Sequence, residues 1–288
     1  MLQGVGVMIS IRYFSPAPPL RPFLSSYYWF ESNLPAFSDL MRAELPQIRL
    51  LVRGTACNTY ADGHSRLASG ATLQGPTSGP VSFASNGALH LFGVGLMPLG
   101  WARLLGLPAD ALADDLTDLA ALIGAPAREA LEGMAMARTD AARVAVADRL
   151  FLTLLAKAHA APAWFTRVMD DWLVGSPDPD VDTLVAASGM SARSVERLAL
   201  RLYGASPKLM ARKYRALGAA VRLGTGDAHD WADAAGTAFY DQAHFIKEFK
   251  QFTGMTPARF LAEAAPVTRL TIARRQMMPD LPRLALFS

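Results

Sequence analysis

Residues 180–208 read DVDTLVAASGMSARSVERLALRLYGASPK, and this stretch decides the fold of the C-terminal half of the chain. Its first residues place Leu184 and Val185 on one face of a short helix. Gly189 follows, and glycine adopts without strain the positive φ that a tight turn between two helices demands. Ser191 then stands where a serine caps a second helix by accepting hydrogen bonds from its free amides. The stretch therefore predicts two helices joined by a tight turn.

The second helix of this stretch is predicted to run to about Tyr203 and to have two unlike faces. At about 100° per residue, its apolar side chains point toward a partner helix. The opposite face is long and basic. A DNA major groove admits one such helix with its first turns against the base edges, where arginine can donate to guanine O6 and N7. The inward residues are Val195, Leu198, Ala199 and Leu202. The candidate DNA-contacting residues are Arg193, Glu196, Arg197 and, on the flank, Arg201.

The same pattern recurs 50 residues later, in WADAAGTAFYDQAHFIKEFKQFTGMTPARF at 231–260. Apolar positions match apolar positions and caps match caps, so one supersecondary unit is predicted to be present twice. The matched pairs are Ser191 with Asp241, Val195 with Phe245, Arg197 with Lys247, Leu202 with Phe252, Gly204 with Gly254, Ser206 with Thr256 and Pro207 with Pro257.

The second copy predicts a helix capped by Asp241, with Phe245, Phe249 and Phe252 facing inward. Its lysines are natural phosphate contacts, and a glutamine in the first turn can read adenine. The candidate DNA-contacting residues here are Gln242, Ala243, Ile246, Lys247 and Lys250. His244 has no second histidine or cysteine at ligand spacing, so we expect it to make a structural hydrogen bond rather than to bind a metal.

A single helix is predicted between the two copies. Pro207 suits its first turn, and the helical pattern continues through KLMARKYRALGAAVRL until Gly224 and Gly226. About seventeen residues of helix span roughly 25 Å, which predicts recognition helices about one duplex turn (~34 Å) apart. One chain would then read two successive major grooves of double-stranded DNA without a dimer.

The excess of basic side chains lies in this part of the chain. Residues 1–160 hold equal numbers of basic and acidic side chains, so the net charge of +3 arises wholly from the remainder. Such a cluster is typical of a phosphate-facing surface, although charge alone leaves an ordinary solvated helix face open. Between residues 191 and 215 the basic side chains are Arg193, Arg197, Arg201, Lys208, Arg212, Lys213 and Arg215.

The first half has a different pattern. Short alternating runs separated by Gly, Pro, Ser and Asn predict a sheet-rich domain, and apolar spacing of three and four predicts helices over 100–124 and 129–158. The strand candidates are SYYWF, IRLLV, VSFAS and LHLFGVGL. We therefore expect an α+β chain of two domains. Its parts are a β-rich, barrel or cupin-like domain with closing helices at 1–160, an all-α domain at 161–265, and a loosely held tail at 266–288.

Composition excludes several classes of protein. The chain is 51% apolar, so it can bury a core, and its single cysteine, Cys57, excludes an intramolecular disulfide. We expect that thiol to be a small buried side chain. The most apolar stretch is interrupted by His90, Pro98 and Arg103, and the start lacks the basic region of a secretory signal. We expect a cytoplasmic protein with no membrane contact, no cofactor and no metal.

These motifs resemble the DNA-binding domain of the AraC/XylS family of bacterial regulators over about residues 165–264. The resemblance lies in S-x-R-x-V-E-R-L, G-A-S-P-K, R-K-Y-R-A-L-G-A-A, F-Y-D-Q-A-H-F-I-K-E-F-K and G-M-T-P-A-R-F. It implies a transcription regulator with two helix-turn-helix units. The base contacts that it implies are Arg193, Glu196 and Arg197 in the first unit and Gln242, Ala243, Ile246 and Lys247 in the second.

Two residues depart from the family pattern. Ala238 stands where the family usually has a glycine, so the second turn must avoid a positive φ there or tolerate strain of about 1 kcal/mol. Ala243 offers no hydrogen bond to a base, so the second unit is expected to act mainly through phosphates. The first unit should therefore dominate sequence specificity.

The N-terminal half more faintly resembles the sheet-rich sensor regions of some members of this family. The similar stretches are SPAPPLRPFLSSYYWF and FGVGLMPLGWARLLGLPADALADDLTDL. The resemblance implies that this half binds a small-molecule effector or forms a homodimer. Tyr27, Tyr28 and Trp29 are candidates for a pocket wall, but a core or interface role is favoured for them.

Two other functions remain open from the sequence. The first is a metal-dependent enzyme in the β-rich half, for which His64 and His90 are available but lack the spacing of a ligand set. Its helical half would be a targeting module. The second is a scaffolding or ligand-binding protein whose helical half no longer binds DNA, and the basic outward faces argue against it.

Overall fold

A computed structural model describes residues 9–228, 230–236, 238–263, 266–278 and 280–287. It has the expected α+β order, with antiparallel sheets first and helices afterwards. The strands are β1 (Ile9–Phe14), β2 (Leu24–Ser32), β3 (Ala36–Met41), β4 (Gln47–Arg53), β5 (Ala56–Thr59), β6 (Ser65–Ala68), β7 (Ala71–Gln74), β8 (Val81–Asn86), β9 (Leu89–Leu96) and β10 (Leu116–Asp118). The helices are α1 (Pro98–Gly100), α2 (Leu119–Ile123), α3 (Ala125–Met136), α4 (Asp140–Leu155), α5 (Ala163–Gly175), α6 (Val181–Ser188), α7 (Ala192–Tyr203), α8 (Pro207–Thr225), α9 (Trp231–Ala235), α10 (Gln242–Thr253), α11 (Pro257–Glu263) and α12 (Pro266–Met277).

The N-terminal half consists of two sheets and a helical layer. One sheet has the strand order β1-β2-β9-β4-β7-β10, and the other has the order β3-β8-β5-β6. Alternate residues of β2 point to opposite faces of the larger sheet. Tyr27 and Trp29 pack with α3 and α4, whereas Tyr28 and Phe30 face the space between the sheets. The larger sheet is thus buried on both faces, which explains why its strands are so apolar.

The segment after β9 is less helical than its apolar spacing predicts. Gly106 takes a φ of +70°, which ends a short π-helical segment that continues α1. A single 3-10 turn follows Pro108, and then Leu116–Asp118 adds a strand beside β7. The prediction of helix over 100–124 is therefore wrong except at its two ends, because a glycine and a proline interrupt it. Over 129–158 helices are confirmed, as α3 and α4.

Two further expectations are wrong. The Cys57 side chain is exposed, because it alternates out of β5 while its neighbours Ala56 and Asn58 face the space between the sheets. The last segment is not a loose tail. Residues Pro266–Met277 form helix α12, and beyond it Leu284 is 2% exposed in the core of the C-terminal half.

The C-terminal half has two small cores along one long helix. The first core joins α5, α6, α7 and the start of α8, and the second joins the end of α8 to α9, α10 and α11. Helix α8 runs through both, with buried residues along its length. Within the described ranges, no helix combines the length and the apolar character that crossing a membrane requires.

The two halves are in direct contact through the connection between β3 and β4. The amide of Ala43 donates to the carbonyl of Phe252 at the end of α10, at 2.8 Å. The Lys213 ammonium of α8 donates to the carbonyls of Glu44 and Thr77, at 3.0 and 2.7 Å. Burial lowers the pKa of Lys213 to about 8. A buried ammonium held by carbonyls of the other half fixes how the two halves meet.

Candidate DNA-binding interface

The first helix-turn-helix unit forms as its sequence predicts. Helix α6 ends at Gly189, whose φ of +64° turns the chain. The side chain of Ser191 accepts from the amide of Ser194 and caps α7. Val195 and Ala199 of α7 are both fully buried against the first core.

The outward face of α7 is open to solvent. Arg193, Glu196, Arg197 and Arg201 are all exposed. Within the described parts of the chain, none of these four side chains has a hydrogen bond or ion pair. Arg193 and Arg197 in the first two turns of α7, and Arg201 in its last turn, are thus available to a ligand outside the protein.

The turn of the second unit is longer than that of the first, and its glycine lies farther from the helix cap. Gly236 takes the positive φ, +52°, directly after α9. Among the described residues, the one non-glycine residue with a positive φ is Asp114, so Ala238 carries no such strain. Ala238 is instead buried, at 3% exposed. The turn therefore avoids the strain that an alanine would bring at a left-handed position.

Helix α10 presents two lysines on its exposed face, where α7 presents three arginines and a glutamate. Asp241 caps the helix by accepting from the amide of His244 at 2.7 Å, and the three phenylalanines predicted to face inward are completely buried. Gln242, Ala243, Lys247 and Lys250 are exposed. Ile246 differs from the expected outward placement, because it is half-buried against the second core.

Three members of the basic cluster are bound within the protein. Lys213 is buried between the halves, as described above. Arg212 and Arg215 of α8 both bind the carboxylate of Glu248 on α10, at 2.5 and 3.0 Å. Arg215 also binds Asp178 at 2.6 Å. Much of the local positive charge is therefore used to join α8 to α10, and the part left for phosphates is smaller than the sequence indicates.

Glu248 is the organising group of that junction, and sequence reasoning missed it. Its side chain is 4% exposed. Burial alone would raise its pKa, but the two guanidiniums outweigh burial and hold the pKa below its usual value. His244 lies one turn earlier, with Nε2 at 3.5 Å from Glu248. This contact within the protein fits the structural role expected of His244.

Both recognition helices meet the N-terminal half with their C-terminal ends. A Cβ at Gly204, after α7, would lie 2.5 Å from a side-chain carbon of Pro76. A Cβ at Gly254, after α10, would lie 2.5 Å from a side-chain carbon of Leu40. Since both helices end at the sheet domain, their first turns point away from it. The two candidate faces are consequently not covered by the N-terminal half.

Helix α8 connects the two helix-turn-helix units. Helix α8 contains 19 residues. It spans roughly 28 Å at about 1.5 Å per residue, somewhat more than the sequence-based length. It begins at Pro207 and ends at Gly226, which has a φ of +79°.

The histidines of the N-terminal half do not form a metal centre. His64 hydrogen-bonds to Asp62 at 2.6 Å, whereas His90 bonds to Asn33 at 2.9 Å. The described residues contain no group of three or more histidine, cysteine, aspartate or glutamate side chains suited to a metal ion.

Comparison with known proteins gives matches to both halves. A family profile described as a helix-turn-helix domain matches residues 184–263, and a domain of unknown function, DUF6597, matches residues 12–118. No curated protein matches the sequence.

Several solved structures are loosely similar. One crystal form of ToxT from Vibrio cholerae matches with 10% identity over 88% of this chain and 97% of that chain, at a TM-score of 0.48. A ToxT structure with bound unsaturated fatty acid matches with 8% identity over 90% and 97%, at 0.47. A cupin superfamily protein from Desulfitobacterium hafniense matches with 9% identity over 33% of this chain and 84% of that chain, at a TM-score of 0.25.

The family match over residues 184–263 identifies the function of the C-terminal half. This half of the chain carries an AraC-type helix-turn-helix domain, which is the DNA-binding domain of a transcription regulator.

Proposed function

We propose that this regulator inserts α7 and α10 into two successive major grooves of one DNA site. In this proposal Arg193, Glu196 and Arg197 read bases in the first groove, and Arg201 contacts the adjacent phosphates. In the second groove Gln242 reads a base, Ala243 and Ile246 make apolar contacts, and Lys247 and Lys250 bind phosphates.

The observation that carries the proposal is the pair of matched, capped helices whose first turns are exposed. Arginines at surfaces commonly pair with nearby carboxylates, yet Arg193, Arg197 and Arg201 have no such partner among the described residues. The half-buried position of Ile246 and the methyl group of Ala243 leave α10 with few groups that can read bases. Specificity should therefore come chiefly from α7.

The proposal also covers effector sensing, location and self-association of the whole chain. The N-terminal half senses a small effector, for which the space between its sheets offers a cavity. The chain acts in the cytoplasm by binding DNA rather than by catalysing a reaction. Self-association through the N-terminal half is a further expectation, which sedimentation analysis of the full chain tests.

Selection of bound sequences from a random duplex pool tests the function with the full chain. We expect one site with two half-sites about 10 base pairs apart, and an affinity that falls steeply with salt. Arg197→Ala should relax the preference at one base pair by about 1–3 kcal/mol, whereas Lys247→Ala should weaken all sequences alike.

Arg138→Ala is the matched control, because Arg138 is an exposed arginine of the N-terminal half. Arg138→Ala should change neither the base preference nor the affinity for DNA. Selection that enriches no sequence, together with an affinity for duplex DNA that is independent of salt, would contradict the proposal.

A further inference from the structure

One loop of the N-terminal half touches the ends of both recognition helices. It joins β7 to β8 and has the sequence GPTSGP, residues 75–80, and it is called the β7–β8 loop below. A Cβ at Gly204, after α7, would lie 2.5 Å from the ring of Pro76. A Cβ at Gly254, after α10, would lie 3.2 Å from the ring of Pro80. Two helices from different helix-turn-helix units therefore end at the same short loop.

The connecting helix α8 is bound to the same loop. The Lys213 ammonium of this helix donates to the carbonyl of Thr77 at 2.7 Å. Thr77 is tied in turn to the β3–β4 connection, because its amide donates to the carbonyl of Glu44 and its hydroxyl accepts from the amide of Glu44. Thr77 is 1% exposed, so water does not compete for these bonds. The loop thus contacts α7, α8 and α10 together.

A residue with a left-handed backbone holds the β7–β8 loop in place. Asp114 has a φ of +55°, and it alone among the described non-glycine residues has a positive φ. Its side chain accepts from the amide and from the hydroxyl of Ser78, at 2.6 and 2.5 Å. Its own amide donates to the carbonyl of Pro76 at 3.0 Å. Such a backbone persists only where the surrounding contacts over-determine it, so the conformation of the loop is fixed.

The two helix-turn-helix units have separate apolar cores. Within the described ranges, one core lies at the start of α8 and the other at its end. The ion cluster around Glu248 joins the units on one side. Long helices bend, and parts of a chain that share a small polar interface are expected to move relative to each other. The β7–β8 loop supplies a second fixed point, on the side where both recognition helices end.

We propose that the β7–β8 loop holds α7 and α10 at a fixed separation and thereby sets the spacing of the two half-sites that the chain can read. Pro76, Thr77 and Pro80 are positioning residues in this proposal, because they act through the helices that they hold. The proposal rests on the proposed reading of two successive major grooves. It adds that the N-terminal half selects among DNA sites by geometry, without a contact of its own to the duplex.

A change of one base pair between the half-sites is a large displacement for a rigid protein. It moves one groove by roughly 3.4 Å along the duplex axis and turns it by about 35°. Hydrogen bonds to base edges tolerate only a few tenths of an ångström in their donor–acceptor distances. A rigidly held pair of helices is therefore selective for spacing, whereas a loosely held pair accepts several spacings.

Binding of the full chain to duplexes of different spacing tests the proposal. The duplexes carry the two selected half-sites at separations of about 9 to 12 base pairs. We expect the unaltered chain to prefer one separation at least tenfold over its neighbours. Asp114→Ala removes both acceptors for Ser78 and should reduce this preference to less than threefold, with the base preference inside each half-site unchanged. Asp114→Asn keeps an acceptor for the Ser78 amide and tolerates a positive φ, so it should retain the tenfold preference.

A double replacement of the prolines tests the loop without changing Asp114. Pro76→Gly combined with Pro80→Gly removes the two rings that meet the ends of the recognition helices. This variant should lose the spacing preference as Asp114→Ala does. The midpoint of urea unfolding shows whether each variant is folded, and if one of them is not, the other decides.

A distance measurement without DNA gives an independent readout. Spin labels are attached at Ala192→Cys on α7 and Lys250→Cys on α10, with the exposed Cys57 replaced by serine. Pulsed electron resonance should give one narrow distribution of distances with the unaltered loop and with Asp114→Asn. The distribution should be at least twice as broad with Asp114→Ala.

Two results would overturn the proposal. One is an equal width of the distance distribution in all these variants, and the other is a tenfold spacing preference that survives in the folded loop variants. Failure to select any DNA sequence would overturn the proposed function and, with it, the role in spacing. The label distances would then still decide whether the loop holds the two helices.

Discussion

Replacement of Glu248 by glutamine tests whether the ion cluster between α8 and α10 holds the second recognition helix in place. Breaking a buried ion pair on one side costs about 3–5 kcal/mol, because a charge is left without its partner. Arg212 is about a third exposed, so solvent screens its ion pair with Glu248. Arg215 keeps its second ion pair, with Asp178, in the variant. Glutamine also keeps the volume and one acceptor oxygen. We therefore expect a loss of roughly 2–3 kcal/mol in the free energy of unfolding.

Urea unfolding measures this loss as a lower midpoint with an unchanged slope. Glu129→Gln is the control, because Glu129 is exposed on α3, and it should stay within about 0.5 kcal/mol of the unaltered chain. The Glu248 variant should also lose protection of the half-site read by α10, although Glu248 itself is buried. A stability equal to that of the control, with both half-sites still protected, would refute this account of the cluster.

Four further substitutions test other parts of the account. Ser191→Ala and Asp241→Ala each remove a helix cap and should cost about 1 kcal/mol in urea unfolding, whereas a loss below 0.3 kcal/mol would show that the caps do not matter. Burial raises the pKa of Asp170 to about 7 despite its hydrogen bond from Tyr203. The folded state therefore holds this proton more tightly than the unfolded chain does. The stabilisation that the proton provides is complete below pH ~4 and is lost as the pH rises through 7. The difference in unfolding free energy between the unaltered chain and Asp170→Asn should change over that range, and a constant difference would contradict the assignment. Lys213→Met leaves two carbonyls at the contact between the halves without their donor and should speed proteolysis of the 156–162 connection, while equal rates would count against a clamp.

Local features of the helical half could be predicted from the sequence. Gly189, Ser191 and the buried apolar residues of α7 and α10 follow from turn geometry, capping and helical period, and all lie where these rules place them. Such rules act within a few residues, so they need no knowledge of the rest of the chain. The connecting helix between its proline and its glycine is predictable for the same reason.

What the sequence could not predict depends on contacts between distant segments. Helical period places Arg212 and Lys213 on α8, but it does not reveal that Glu248 and the β3–β4 connection cover them. The hydrogen bond from Arg42 to Thr271 is a stronger case, because the two residues come from opposite ends of the chain. In the N-terminal half, Leu116–Asp118 has helical spacing nearby yet becomes a strand, because the edge of β7 is available to pair with it.

Methylation interference on the selected duplex tests the central claim most directly, because it reports contacts at guanine N7 in the major groove. With the full chain we predict two clusters of interference about 10 base pairs apart on one face of the duplex, and loss of one guanine from the cluster assigned to α7 in Arg197→Ala. A single cluster, or two clusters that are both unchanged in that variant, would contradict the claim that α7 and α10 read successive major grooves.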